Sequence, residues 1–358
     1  MDRRQFLVTL AATAASTALP AGWALASHSE DWKWLQGNWQ VRHQRLKERL
    51  VGDTRWEAFT GASAVWLTLG GLGTIDDNVM ELPSGPYRGL GVRAFDPVSS
   101  TWSIWWIDGR NPAHIEAPVR GGFKGDAGSF RGTDRIDGRP IDVWFRWHAI
   151  HGEEPWWEQA FSDDAGAHWE VNWRNWFRRT AAAPSPLPKL PDAPGDFDFL
   201  VGHWNVRHFD FLVGHWNVRH RRLRARLAGS DAWDAFNGTL HNWPVLGGFG
   251  NVGDNLMDVP GAPLRGMGIR AWNAAERHWL SWWLDGREPT RIGAPLRGGF
   301  KAGVGRFFGE DQHDGRAIQT RVIWSRITPR SARWEQAAST DGGRSWETNW
   351  VSDFERQA

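Results

Sequence analysis

Five residue types that could meet a ligand occur twice in the chain. Arg93, His43, Glu158, Asn172 and Trp106 make one set, and Arg270, His220, Glu335, Asn349 and Trp283 make the other. An arginine, a carboxylate and an amide beside aromatic walls can orient a small apolar or aromatic molecule, because ligand pockets are mostly apolar with a few placed polar groups. The same residues allow a second chemistry. Glu158 with Asp108 could pass protons as an acid/base pair, and Glu158/Glu335 with Arg93/Arg270 could serve an isomerase, hydratase or cyclase. A third use is sugar binding on exposed Trp platforms. The residues alone leave these three open, assign no catalytic residue and name no cofactor. His43 and His220 read as core or rim histidines or, less simply, as haem or metal ligands. No His-x-His or His-Glu-x-x-His spacing supports a metal. The chain has no Cys, which excludes disulfides, thiolate zinc sites and thiol nucleophiles. Serine nucleophile elbows and phosphate-binding glycine loops are absent.

The element that must position Glu158 and Asn172 is a β-hairpin. Trp157–Trp173 alternates along two arms around an Asp- and Gly-rich turn, and the pattern returns at Trp334–Trp350. Strict alternation puts Trp157, Gln159, Phe161, Trp169, Val171 and Trp173 on one face. Glu158, Ala160, Ser162, His168, Glu170 and Asn172 fall on the other. Either the Trp face turns inward and the carboxylates meet water, or Glu158 and Asn172 point inward with Arg93 or His43. Asp108-Gly109-Arg110 reads as a turn with a local ion pair, or as an anion site at a pocket mouth.

The two sets are copies. Trp39 matches Trp216, a shift of 177 residues, and the same shift pairs Trp105-Trp106 with Trp282-Trp283 and Arg179 with Arg356 without a gap. This is duplication of a whole domain, not a short-period solenoid. The expected organisation is a signal peptide over 1–26, a first domain over 27–180, a Pro-rich linker over 181–195, an extra segment over 196–208, and a second domain over 209–358. The linker reads as an extended, semi-rigid spacer. Within the extra segment Phe197–His208 repeats Phe209–His220 identically. The second of these copies keeps the register and is expected to supply the first strand of its domain.

The chain has 358 residues, 28 Trp and one Tyr. So many Trp in a Gly-rich chain favour strands and large side chains filling an interior. Alternation at Trp39–Gln44 and Tyr87–Phe95, the doubly apolar Trp102–Ile107, and runs near 56–68, 76–82, 113–124, 128–135 and 140–150 predict about ten strands per copy. No run of a dozen residues after the amino terminus carries a helical period. The expected fold is all-β: two tandem antiparallel up-and-down β-barrels, closed so that no edge is exposed. A formal net charge of +1 gives no bulk attraction to nucleic acid. The chain opens with Arg3-Arg4 before a short apolar run and Ala24-Leu25-Ala26, the layout of an export signal. The run is too short for a membrane span, so no stable membrane insertion is expected once the signal is removed.

Two resemblances follow. Arg3-Arg4 with Phe6-Leu7 resembles the twin-arginine signal, departing from it at Asp2 and Val8, and implies a folded protein exported to the periplasm or beyond. Gly37-Asn38-Trp39 and Gly214-His215-Trp216 resemble the Gly-x-Trp opening of lipocalins and other calycins. The wider pattern is similar to an uncharacterised bacterial lipocalin-like family. The resemblance implies a barrel in which Arg179 and Arg356 cover those Trp rings. It implies fold more firmly than function, since calycins include carriers, haem binders and a few enzymes. Ser162-x-Asp164-x-Gly166-x-x-Trp169 and its copy at Ser339–Trp346 are similar to the Asp-box turn of sialidase propellers, which implies turn chemistry here.

Overall fold

The computed structural model describes residues 27–190 and 209–357. The expected signal peptide and the extra segment at 197–208 lie outside the described residues. The chain forms two closed antiparallel barrels of ten strands each, and in each the first strand also pairs with the last. The first barrel comprises β1 (Gly37–Leu46), β2 (Trp56–Thr68), β3 (Gly73–Leu82), β4 (Gly85–Asp96), β5 (Thr101–Asp108), β6 (Val119–Lys124), β7 (Ala127–Ile136), β8 (Arg139–His148), β9 (Trp156–Ser162) and β10 (Glu170–Ala181). The second comprises β11 (Gly214–Leu223), β12 (Trp233–Val245), β13 (Gly250–Met257), β14 (Leu264–Asn273), β15 (His278–Asp285), β16 (Leu296–Lys301), β17 (Val304–His313), β18 (Arg316–Ser325), β19 (Ser331–Ser339) and β20 (Glu347–Arg356).

Three local readings change. The strand expected over 113–124 is only β6, and the residues before it form a loop tied by the single bridge Ile107–Ile115. Phe209–His220 is not all strand. Phe209–Leu212 is a 3-10 turn, and β11 starts at Gly214. The described part of the linker is not a free spacer. Leu190 N–H donates to the Gly247 carbonyl (2.8 Å), Arg88 donates to the Pro188 carbonyl (2.8 Å), and Leu187 packs on the core between the barrels. Its apolar side chain gains more from that surface than from water.

Alternation along each strand sends one set of side chains into the lumen and the other outward. One end of each lumen is plugged. A 3-10 turn at Lys33–Leu35 brings Trp32 and Leu35 into a cluster with Trp39, Trp102, Phe130 and Trp147. Phe209 and Leu212 do the same among Trp216, Trp279, Phe307 and Trp324. Trp39 Nε1–H donates to the Leu35 carbonyl (2.7 Å), and Trp216 Nε1–H donates to the Leu212 carbonyl (2.7 Å). These bonds satisfy the indole donors that burial would otherwise strand. Arg179 lies over Trp39 (4.0 Å from guanidinium carbon to ring centre) and Arg356 over Trp216 (4.3 Å), as the calycin resemblance implies.

The outward faces of β2–β5 and β12–β15 meet each other, not water. Trp66 stacks on Trp243 (5.3 Å between ring centres) within one continuous cluster that includes Val92, Trp105, Ile269 and Trp282. This explains why Trp102–Ile107 is apolar on both faces: Trp102 and Ile104 fill the lumen, while Trp105 and Ile107 face the other barrel. The contact is reciprocal. Leu69 N–H donates to Asp254 (2.9 Å), and Leu246 N–H donates to Asp77 (3.0 Å). Both donors sit in Leu-Gly-Gly turns whose middle residues, Gly70 and Gly247, have φ of +70° and +67°. The positive φ favours glycine at Gly70, which packs on the Arg265 side chain of the other barrel, 2.6 Å from where a β-carbon would stand.

Candidate functional site

The unplugged half of each lumen is polar. In the first barrel Arg93 on β4 points inward, is 6 % exposed, pairs with Asp76 on β3 and lies over Trp32 (4.3 Å). Its Nη1 also reaches Thr74 Oγ1 (3.3 Å). His43 on β1 stacks on Phe59 (4.8 Å), and its Nδ1 meets Asn175 Oδ1 (2.6 Å) and the Trp173 indole N–H (3.3 Å). Burial pushes the His43 pKa down to about 4, partly offset by the Asn175 hydrogen bond. Its Nε2 lies 2.8 Å from where a β-carbon at Gly61 would stand, and it is buried without a hydrogen-bond partner among the described residues. His220 repeats the arrangement with Phe236, Ser352 (2.8 Å) and Trp350, and burial holds it at about 4 as well. Among the described residues no group of three or more His, Asp or Glu could hold a metal ion.

The hairpin divides the expected residues between two sides of the wall. In the first barrel β9 and β10 slip by one residue between Val171 and Trp173. This β-bulge resets the alternation. Val171 pairs with Ala160 on the outer face and Trp173 pairs with Gln159 on the inner one. Asn172, within the slip, is fully buried and accepts from Gln159 Nε2 (2.8 Å). Asn349 and Gln336 repeat that bond at 3.0 Å. Trp169 lies outside, edge-on to Trp144 (5.3 Å).

Glu158 is on the outer face. It sits between its cross-strand neighbours Arg146 (2.8 Å) and Arg174 (3.6 Å), with His148 at 3.4 Å. Burial alone would raise its pKa, but His148 and the two arginines outweigh that and hold it below the ordinary value. The cross-strand neighbours of Glu335 are Ile323 and Val351, so the second copy has lost the arginines. Glu158 and Glu335 therefore cannot share a luminal ligand with Arg93 and Arg270, because the barrel wall stands between them.

Trp106 and Trp283 point inward at the open end. They are 37 % and 41 % exposed, and Trp106 Nε1–H donates to the Tyr87 hydroxyl (2.7 Å). Asp108 pairs with Arg110 (2.7 Å), and Asp285 with Arg287 (2.6 Å), so each Asp-Gly-Arg turn is a local ion pair. Arg110 also lies over Tyr87 (4.0 Å). Several inward side chains are only half-buried, among them Phe145, Trp157, Gln159 and Asn175, so the polar half is reached by solvent. Two outer concavities lie elsewhere. One, of about 340 Å³, sits between the barrels against Trp105 and Trp282, and another, of about 360 Å³, lies beside Trp39 and Arg179.

Sequence reasoning missed Asp76, Gln159 and Gln336. Period-two alternation through Thr74, Asp76 and Asn78, set against Arg93 on the adjacent strand two residues away in register, carried the signal for Asp76. So did the 177-residue shift, which puts Gly253 where the first copy has Asp76.

Two closed ten-stranded barrels in tandem fit a calycin-like fold. No protein-family model and no curated protein matches the chain. Among solved structures it is similar to a protein of unknown function of the DUF3598 family from Nostoc punctiforme PCC 73102, at 10% identity over 92% of this chain and 99% of that one, with a TM-score of 0.24. A transferrin-binding protein B variant from Haemophilus parasuis Hp5 is similar at 6% identity over 90% of this chain and 76% of that one, with a TM-score of 0.20. Neither likeness carries a functional inference.

Proposed function

We propose that the protein is an exported binder of a small apolar or aromatic molecule, held in the open halves of its barrel lumens. One observation carries the reading: buried polar groups converge on a solvent-reached lumen with aromatic walls. Arg93, Asn172 and Gln159 point inward in the first barrel, and Arg270, Asn349 and Gln336 in the second. Asn349 Nδ2 and the Nε atoms of both arginines are buried without a partner. Buried polar groups are nearly always satisfied, so such donors mark places where something else bonds. Trp106 and Trp283 stand at the entrances, where a flat ligand would slide past them.

Binding without chemistry is the better reading of the site. The carboxylates that an isomerase, hydratase or cyclase would draw on, Glu158 and Glu335, lie outside the wall. Export rests on the Arg3-Arg4 segment. Among the described residues no helix is long and apolar enough to cross a membrane.

Native mass spectrometry of the protein recovered from its own cell envelope tests the reading. A co-purifying small molecule, lost when Trp106 and Trp283 are both replaced by Ala, is the expected result. An apo chain whose Trp emission no hydrophobic probe changes would overturn it.

A further inference from the structure

The two lumens differ at one charge. In the first, Arg93 has its counter-ion within the chain, Asp76. The equivalent of Asp76 is Gly253, and among the described residues Arg270 has no carboxylate partner. Arg270 is 8 % exposed and donates through Nη1 to the Asn251 side-chain carbonyl (3.0 Å), an oxygen already shared with Asn242 Nδ2 (3.2 Å). Its guanidinium lies 5.0 Å from the Phe209 ring centre, and its Nε has no partner. Burial pushes its pKa down to about 10, which leaves it charged at neutral pH. A buried charge held only by neutral groups is costly, and chains rarely retain one without use.

The space around it differs too. In the first barrel a β-carbon at Gly91 would meet the Asp76 carboxylate at 2.5 Å. At the matching Gly268 it would meet the Arg270 guanidinium itself at 3.0 Å. Inward bulk is lost where Phe161, Phe145 and Ile104 become Ala338, Val322 and Ser281, and gained where Ser63, Phe95 and Val119 become Leu240, Trp272 and Leu296. The second lumen thus joins a cation without a carboxylate partner among the described residues to a differently filled, aromatic-walled space, in which Leu240 and Asn242 stand beside Gly253.

We infer that the second barrel is a receptor for a singly charged organic carboxylate, bound through Arg270, and that the first barrel is not. One fixed positive charge matches one negative charge. A guanidinium suits a carboxylate as its partner, and Arg93 takes one, Asp76, through Nη1 within the same molecule. The apolar body of the ligand would lie along the lumen toward Trp283. In the first barrel Asp76 holds the place that a ligand carboxylate would need.

This inference rests on the luminal reading above, and the test separates the two. Calorimetric titration of the full chain with octanoate, and with octanol as its neutral counterpart, should give one octanoate per chain. Arg270→Gln should weaken octanoate at least about thirtyfold and leave octanol unchanged. The pair Leu240→Ser with Gly253→Asp rebuilds the first barrel's arrangement, and should abolish octanoate binding while raising the thermal midpoint. Octanoate binding that survives Arg270→Gln, or two octanoates per chain, would overturn the inference. So would displacement by equal concentrations of chloride or phosphate, which would make the site an inorganic-anion one. If octanol binds and octanoate does not, this inference falls and luminal binding stands; if neither binds, both fall. Arg270→Met in the ligand-free chain adds a readout independent of the probe. Its midpoint should rise, and a fall would mark Arg270 as a structural part of the core.

Discussion

Arg179 and Arg356 close the plugged ends by two means at once. Each stacks on the first-strand Trp, and each donates to main-chain carbonyls before that strand. Arg179 bonds those of Trp34 and Gln36, and Arg356 bonds those of Phe211 (2.7 Å) and Val213 (2.6 Å). Arg356→Ala would lose the cation–π contact and leave those acceptors unpaired. The expected cost is about 3 kcal/mol in urea unfolding, whereas Arg356→Lys should recover only part of it. The two histidines act on pH. Their folded pKa values near 4 lie below the ordinary 6.5. The stabilisation from keeping them neutral is therefore complete above pH 6.5 and is lost as pH falls toward 4. It amounts to about 3 kcal/mol for each. His43→Gln with His220→Gln should remove that acid-side loss, as unfolding followed from pH 4 to 7 would show.

At the level of the element, the hairpin turn and the hairpin wall do different work. Ser162 Oγ donates to Asp164 (2.8 Å) and accepts from Gly166 N–H (2.8 Å), while Asp164 accepts from His168 N–H (2.9 Å). Trp169 Nε1–H donates to the Gly166 carbonyl (3.1 Å), and the Ser339–Trp346 turn repeats the pattern. These bonds complete the turn, as the Asp-box likeness implies. Asp341→Ala should lower the unfolding midpoint and leave ligand affinity unchanged. Ligand loss in that variant would show that the turn reaches the site. The same hairpin marks how far the sequence could be read. Strand count, closure and the arginine caps follow from alternation, turn residues and the Gly-x-Trp opening, which are local signals. The separation of Asn172 from Glu158 depends on a one-residue slip at Asn172, and no residue type announces a bulge. Asp76 was legible only as half of a pair, because the register that brings it to Arg93 is a non-local fact.

The whole molecule is held by a contact that treats its halves as equals. Asp77, buried beneath the Leu246 amide, has its pKa pushed up to about 7 by burial, against the pull of that hydrogen bond. A carboxyl raised in the folded state stabilises fully below the ordinary value of 3.8. That contribution is lost as pH rises through 7. It runs opposite to the histidines over the same window. Asp77→Asn should therefore uncover a stability that climbs from pH 4 to 7, whereas the histidine double variant should uncover one that declines. Trp66→Ala empties the centre of the inter-barrel stack and should cost about 3–5 kcal/mol. Calorimetry should then show two unfolding transitions in place of one. The first barrel alone, residues 27–190, should pair with a second copy of itself through β2–β5, giving a dimer in sedimentation.

That self-matching contact has a further consequence. In a dimer of identical barrels every substitution appears in both, so a costly luminal charge would be incurred twice. Joined in one chain, the barrels mutate separately while the surface between them stays matched. One lumen can then keep its internal Asp76 as a permanent stopper, and the other can give it up. On the carboxylate proposal, the half with Asp76 keeps its counter-ion inside the chain and the half with Arg270 is released to acquire a taste of its own.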